Sequence, residues 1–247
     1  IPTELILFFI LYGITGVMPF ISAVYLLLRR GNAFAPDVVP PVRLRRWAAS
    51  FFAACALGHV WWYLFYTYSG DIRSVSFVVV VTLDCVTLLT TIAGTLFAML
   101  QDRQRPVWPA FAAMIPFLVL AALQIYCPDD TFMNIAAIYI LSLYVLFSLY
   151  MVFAVRRYGR WLNDNYADLE NKKVWLSLMV SLFCLLLFIL YVLVDGDTIL
   201  LYILHLVELV LFSLLLWRVE TLPQLGEETL PQLGEDTCLQ PLPVKAE

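Results

Sequence analysis

The chain has 247 residues, of which 62% are hydrophobic and 14% charged, and its formal net charge is −4 at pH 7. A soluble domain of this length needs more charge to cover its surface, so the composition excludes an ordinary globular protein. The charged residues fall in short blocks between long apolar runs, which is typical of a helical membrane protein.

Seven apolar runs are long enough to cross about 30 Å of hydrocarbon as helices. In chain order they are Leu5–Leu28, Trp47–Tyr68, Val75–Leu100, Ala110–Cys127, Met133–Val155, Val174–Val194 and Thr198–Trp217. The loops between them are too short to hold a soluble domain. The sequence therefore predicts an all-α polytopic membrane protein, with a seven-helix transmembrane domain over residues 1–220.

The composition changes after the seventh span. Thr221–Glu228 reads TLPQLGEE and Thr229–Asp236 reads TLPQLGED, a near-perfect repeat of eight residues. Proline and glycine recur in both units, so neither a helix nor a strand can run through them. Residues 221–247 are therefore predicted to form a flexible acidic tail.

The distribution of basic residues predicts the orientation of the bundle. Of the chain's 15 lysines and arginines, all except Arg73 fall on one side of the predicted membrane. Loops rich in lysine and arginine remain in the cytoplasm. We therefore expect the N-terminus outside and the C-terminus in the cytoplasm, in the inner (plasma) membrane of a cell.

Four ionisable residues lie inside the predicted spans, where a charge is costly and therefore needs a structural or functional reason. They are His59, Asp84, His205 and Glu208. At ~1.5 Å per residue from the outer ends of their spans, all four lie within about 5 Å of one depth. His205 and Glu208 share a helix face at spacing i, i+3.

Asp84 begins a polar stripe on the third span that continues through Thr87 and Thr91. A helix with such a stripe turns it toward the bundle interior, so these threonines join the four ionisable residues as candidates for a shared polar core. Four interpretations of that core stay open. They are a buried hydrogen-bond cluster, a ligand- or proton-sensing pocket, a metal site, and haem held by the two histidines.

No cofactor is predicted outright. Two histidines and two carboxylates are nevertheless a ligand set for Zn²⁺ or another divalent metal. The candidate ligands are the same four residues, and the sequence supplies their common depth but not their mutual distances.

The loop after the fifth span is the densest block of charge in the chain. An amphipathic stripe recurs there at helical spacings of three, one, four and three, formed by Tyr158, Trp161, Leu162, Tyr166 and Leu169. We expect the fifth helix to extend into the cytoplasm and to continue as a short helix on the membrane surface. The candidate residues for cytoplasmic coupling are Arg156, Arg157, Tyr158, Trp161, Asp164, Tyr166 and Asp168.

The string RRYGRWLNDNYADLENKKVW, Arg156–Trp175, resembles a segment of the multi-span N-terminal regions of certain bacterial sensor proteins. In those proteins the membrane region precedes a cytoplasmic histidine-kinase or AraC-type DNA-binding output domain. The resemblance implies a sensor. After Trp217 only the repeat tail follows, so the output would come from a cytoplasmic signalling partner or from a C-terminal domain of a longer chain.

We therefore predict a membrane sensor or receptor-like module that transmits an outer-side stimulus to the cytoplasm. Its expected surroundings are the lipid bilayer, and a homodimer is one candidate assembly. Direct binding to nucleic acid is not expected. One alternative is a metal-dependent intramembrane lipid hydrolase. The positions of His59, Asp84 and the His205–Glu208 pair resemble those of seven-helix metal hydrolases such as alkaline ceramidases and adiponectin-receptor relatives, although H-x-x-E replaces their HxxxH. A second alternative is a small transporter, which requires an open polar path.

Overall fold

A computed structural model describes residues 3–28, 39–101, 103–127, 129–165, 198–222 and 224, and only residues 179, 183, 186 and 187 between 166 and 197. Its six helices are α1 (Thr3–Leu28), α2 (Val42–Tyr68), α3 (Val75–Met99), α4 (Trp108–Tyr126), α5 (Asp130–Asn165) and α6 (Thr198–Thr221). All six are long and apolar enough to cross a membrane. The described part of the chain is thus an all-α, multi-pass membrane bundle.

Six of the seven predicted spans correspond to these helices, and α6 is the seventh predicted span. The fifth helix, α5, continues past the end of its predicted span at Val155 to Asn165, in agreement with the predicted extension of that helix. The sixth predicted span, Val174–Val194, lies outside the described residues apart from four isolated positions, and so does the repeat tail. Both stay predictions.

A tight turn joins α2 to α3. The backbone N–H groups of Ser69 and Gly70 both donate to Phe65 O at 2.9 Å, and Gly70 has a φ of 61°. That left-handed conformation favours glycine, which ends the helix there. The Ser74 hydroxyl then accepts a hydrogen bond from the N–H of Phe77 and caps the start of α3.

Side-chain contacts give the relative directions of the helices. Tyr12 of α1 bonds to His59 of α2, whereas Arg45, near the start of α2, bonds to Leu26 at the far end of α1. These two helices are therefore antiparallel. Contacts between α1 and α6 run in the same order along both helices, because Thr15 meets His205 and Tyr25 meets Glu220. They are parallel.

The main hydrophobic core lies at one end of the bundle. It contains the C-terminal halves of α1, α3, α5 and α6 and the N-terminal half of α2, including Leu26, Phe52, Met99, Tyr158 and Leu215. A second cluster, with Met114 and Ile140, joins α3, α4 and α5. Because the C-terminal halves of α5 and α6 enter the same core, both helices run toward this end.

The end of the bundle with the main core is also rich in arginine, and we call it the basic end. Arg45 donates to Leu26 O at 3.0 Å, and Arg105 donates to Leu100 O at 3.2 Å. These bonds satisfy carbonyls near the C-termini of α1 and α3, where a positive charge is favourable. At the opposite end, two hydrogen bonds from Thr131 lower the pKa of Asp129 and favour its negative charge.

The aromatic stripe of α5 packs differently from the expected surface helix. Tyr158 and Leu162 are 2% and 1% exposed and belong to the main core. Trp161 is half-buried and stacks on Tyr158, with 5.8 Å between ring centroids. This part of the stripe therefore packs α5 against the other helices of the bundle. Side chains in a helix on the membrane surface would keep more of their ring surface exposed.

Candidate functional site

Three of the four predicted ionisable residues meet between α1, α2 and α6. His59 Nε2 lies 4.0 Å from Glu208 Oε2, and His205 Nδ1 lies 2.9 Å from the same oxygen. The Thr15 hydroxyl oxygen lies 3.1 Å from His59 Nε2 and 3.3 Å from His205 Nδ1. We call these four residues the polar junction.

The helices position each member of the junction. The i, i+3 spacing places His205 and Glu208 on the same face of α6, where they bond to each other. On α1, the Thr15 hydroxyl also lies within hydrogen-bond distance of Leu11 O and Tyr12 O of its own helix. The Tyr12 hydroxyl donates to His59 O at 2.7 Å and ties α1 to α2 beside the junction.

The hydrogen bonds of the two imidazoles indicate which nitrogens carry protons. His59 Nδ1 lies 2.9 Å from Cys55 O, which only accepts, so Nδ1 donates to it. In the neutral ring, His59 Nε2 therefore presents a lone pair toward Thr15 and Glu208. His205 Nδ1 donates to the Glu208 carboxylate. The junction thus holds one acceptor nitrogen beside one carboxylate.

The ion-pair partners of Glu208 among the described residues are both histidines. Its side chain is 20% exposed, and among the described residues only the two histidines pair with it, with no lysine or arginine nearby. A carboxylate at membrane depth needs a positive partner or a proton. The arrangement can therefore hold a cation, which is either a proton on an imidazole or an ion between the three side chains.

Asp84 lies at a separate contact between α2 and α3. Its Oδ2 accepts a hydrogen bond from Trp62 Nε1 at 3.1 Å. Its Oδ1 and the Trp61 Nε1 are buried without a hydrogen-bond partner among the described residues. Gly58 provides the space, since a Cβ there would lie 2.9 Å from Asp84 Oδ1. No hydrogen bond or ion pair joins this carboxylate to the polar junction.

The threonine stripe of α3 bonds to its own helix. Thr87 donates to Leu83 O at 2.7 Å, and Thr91 donates to Thr87 O at 2.6 Å. Threonine hydroxyls in membrane helices commonly satisfy themselves in this way. The structure therefore brings neither threonine into hydrogen-bond contact with the polar junction.

Sequence reasoning missed Thr15 and Tyr12. Both lie in the first apolar run, and their only sequence signal is a hydroxyl inside a hydrophobic span. Tyr12 also lines an apolar cavity of about 720 Å³ between α1 and α2. Its wall includes Tyr12 and His59, and is otherwise mostly apolar, with Gly16, Phe20, Ala56 and Val60 among its members. The cavity therefore reaches one histidine of the junction from an apolar face.

A second polar contact joins α1 and α6 at the basic end. The Tyr25 hydroxyl donates to Glu220 Oε2 at 2.8 Å, and Glu220 is fully buried. Of the predicted coupling residues, Arg156, Arg157 and Asp164 are exposed on α5, whereas Tyr158 is buried and Trp161 half-buried. Tyr166 and Asp168 lie outside the described residues.

Comparisons with known proteins place no further constraint on the chain. No protein-family model, no curated protein and no solved structure matches it. The resemblance of Arg156–Trp175 to bacterial sensor regions therefore stays a prediction. The structure itself shows an all-α, multi-pass membrane architecture with a histidine–glutamate junction between α1, α2 and α6.

Proposed function

We propose that the protein is a membrane sensor or receptor-like module in which the polar junction receives an outer-side stimulus. One observation carries the proposal: α1 and α6 meet in two polar contacts. Thr15 and His205 meet at the junction, and Tyr25 bonds to Glu220 at the basic end. The same pair of helices thus connects the receiving site to the end that carries the exposed arginines of α5.

Polar contacts between membrane helices can set their packing. The two contacts are separated by roughly 20 Å along α6, at ~1.5 Å per residue. Between them, α1, α2 and α6 pack through the main core, including Ala23, Phe52 and Phe212. A change of charge at Glu208 alters the attraction between α6 and its neighbours. Because packed helices move as rigid elements, that change shifts the Tyr25–Glu220 contact.

A double-mutant cycle tests this coupling. Glu208→Gln alters the junction, and Tyr25→Phe removes the hydroxyl that bonds to Glu220. Distant, independent sites add within about 0.3–0.5 kcal/mol. We expect the free energies of unfolding of the two single variants and the double variant to deviate from additivity by more than ~0.5 kcal/mol. The measurement is equilibrium unfolding of the purified protein in mixed micelles.

Tyr139→Phe is the matched control for the cycle. The Tyr139 hydroxyl donates to Ala113 O at 2.8 Å between α4 and α5, away from the α1–α6 pair. Its loss should add to that of Glu208→Gln without coupling. If the Tyr25 pair is as additive as the Tyr139 pair, the two polar contacts are independent and the proposal fails.

The proposed topology has seven spans in an inner (plasma) membrane. The N-terminus lies outside, and the basic end faces the cytoplasm. The parallel course of α5 and α6 supports this count, because the segment 166–197 joins opposite ends of the bundle. The predicted span Val174–Val194 has the length to make that connection. The arginines gathered at the basic end support the orientation.

Cysteine labelling tests the orientation. Cys127 is exposed at the end of α4, opposite the basic end, whereas Cys238 lies in the tail. A membrane-impermeant maleimide applied to intact cells should label Cys127 and spare Cys238, and Cys127→Ser should abolish the labelling. Labelling that survives Cys127→Ser and is lost in Cys238→Ser would reverse the orientation.

The exposed residues of α5 at the basic end are the proposed contact for a cytoplasmic signalling partner. Arg156, Arg157 and Asp164 present both signs of charge there. A C-terminal output domain or a second copy of the chain would meet the same end. Charge reversal at Arg156 and Arg157 should therefore weaken co-purification of such a partner without lowering the thermal stability of the bundle.

The geometry of the junction also favours the second candidate function, a metal-dependent intramembrane lipid hydrolase. His59, His205 and Glu208 converge, and the apolar cavity between α1 and α2 reaches His59. A lipid chain in that cavity would present its polar head near the junction. Release of fatty acid from an ester- or amide-linked lipid by the purified protein, abolished by His59→Ala, would favour this candidate over the sensor.

A further inference from the structure

We propose that the polar junction binds one divalent transition-metal ion of the zinc class, held by His59 Nε2, His205 Nδ1 and Glu208 Oε2. The inference rests on the proposed sensor function, because it names the chemical class of the ligand that the junction receives. It narrows the four ligands expected from the sequence to three, contributed by two helices.

The three candidate ligand atoms lie close enough together to bind a metal ion after small side-chain shifts. The three ligand atoms all lie within 4.8 Å of one another. Ligands 2.0–2.1 Å from a tetrahedral zinc ion lie roughly 3.3 Å from each other. The Glu208 oxygen already lies 2.9 Å from His205 Nδ1 and 4.0 Å from His59 Nε2. Side-chain shifts on the order of 1 Å therefore complete the geometry, without a change of helix positions.

The surroundings of His59 prepare it as a ligand. Metal-binding histidines usually donate their second ring N–H to a carbonyl or carboxylate, which fixes the tautomer and orients the ring. His59 Nδ1 makes such a bond to Cys55 O at 2.9 Å. Its Nε2 lone pair therefore points toward Thr15 and Glu208 before any ion binds. This bond supplies evidence for a site that is independent of the ligand cluster itself.

The charge of the junction also fits a cation. Two neutral imidazoles and one carboxylate carry a net charge of −1, and no lysine or arginine among the described residues pairs with Glu208. A divalent ion satisfies the His59 lone pair and the carboxylate together. Three protein ligands would leave a fourth position open on the ion. The Thr15 hydroxyl oxygen lies 3.1 Å from His59 Nε2.

Binding would tie α2 to α6 next to α1. His59 is on α2, and the other two ligands are on α6. In the metal-free state only a hydrogen bond and a 4.0 Å pair join these groups. For the ion to bind, the neutral His205 ring would carry its proton on Nε2 instead of Nδ1. Two coordinate bonds to α6 and one to α2 would then replace these contacts. The ion would thereby stabilise the packing that the proposed sensor function assigns to the stimulus.

The test is metal binding by the purified full-length chain in nanodiscs. We expect Zn²⁺ to bind at about one ion per chain, to raise the melting temperature, and to displace Co²⁺ whose visible spectrum reports tetrahedral nitrogen and oxygen ligands. His59→Ala, His205→Ala and Glu208→Gln should each weaken affinity by at least the roughly 10–100-fold that loss of an outer-shell partner costs.

Asp84→Asn is the matched control, since Asp84 lies at a similar depth but bonds to Trp62 rather than to the junction. It should leave zinc affinity within a factor of about 3 of the wild-type value, well below the ligand effect. A wild-type chain that binds no zinc at stoichiometric amounts overturns the inference, and so does a Glu208→Gln variant that binds as tightly as Asp84→Asn. A cooperative melting transition in the absence of zinc confirms that each variant is folded when its binding is scored.

If zinc does not bind but the Glu208–Tyr25 cycle shows coupling, the metal inference fails and the sensor function stands. If zinc binds but the Glu208–Tyr25 cycle shows no coupling, the sensor function fails and the metal inference stands.

Discussion

Replacement of Phe52 by alanine is expected to cause the largest loss of stability among the changes considered. Phe52 is fully buried in the main core, and its ring centroid lies 5.9 Å from that of Phe212 on α6. Phe→Ala in a core costs about 3–5 kcal/mol. We expect the lower end of that range, because lipid is as apolar as the core and the cost arises from the cavity and lost dispersion contacts.

Phe153→Ala is the matched control for this prediction. Phe153 lies on α5 and is 67% exposed on the apolar surface of the bundle. Its truncation should change the free energy of unfolding by less than about 1 kcal/mol, since lipid fills the vacated space. Equilibrium unfolding in mixed micelles measures both variants. Equal losses for Phe52→Ala and Phe153→Ala would contradict the assigned packing of α2 against α6.

Replacement of Gly94 by alanine is expected to loosen the contact between α3 and α2. The Trp47 indole of α2 lies directly over Gly94, and an added Cβ would overlap its ring atoms. Since the overlapping atoms belong to the middle of the ring, the whole side chain or the helix must move. Overpacking of this kind costs about 1–3 kcal/mol, measured as a loss in the free energy of unfolding.

Gly159→Ala separates this steric effect from helix propensity. Gly159 lies inside α5, and no atom lies within 4 Å of an added Cβ. Alanine there should be neutral or stabilising by up to about 1 kcal/mol, because it restricts the unfolded chain. Two substitutions of identical chemistry should therefore have opposite signs. A Gly94→Ala variant as stable as Gly159→Ala would show that Trp47 does not pack on that glycine.

Much of the architecture follows from the sequence alone. The bounds of α2, α3 and α4 agree with the predicted spans to within a few residues, because hydropathy over about 20 residues decides whether a helix can cross lipid. The sequence also predicted that the fifth helix extends past its span, and α5 does continue to Asn165. It did not predict that Tyr158 and Leu162 of this extension are buried against other helices.

The polar site could be predicted only in part. Helical rise gave the common depth of His59, Asp84, His205 and Glu208, and three of them do meet. Depth says nothing about direction around the helix axis or about which helices are neighbours. Asp84 consequently bonds to Trp62 between α2 and α3, whereas Thr15, which carries no sequence signal beyond its hydroxyl, lies within 3.3 Å of both histidines.

The sequence by itself determined the class of the protein, six of its helices and the depth of its polar residues, because each of these depends on composition and rise along one segment. The tertiary structure decided which polar groups touch. Helix–helix contacts in lipid depend on close packing of particular side chains rather than on burial from water. The parallel α1–α6 pair, and with it the histidine–glutamate junction, follows from that packing and from no single segment.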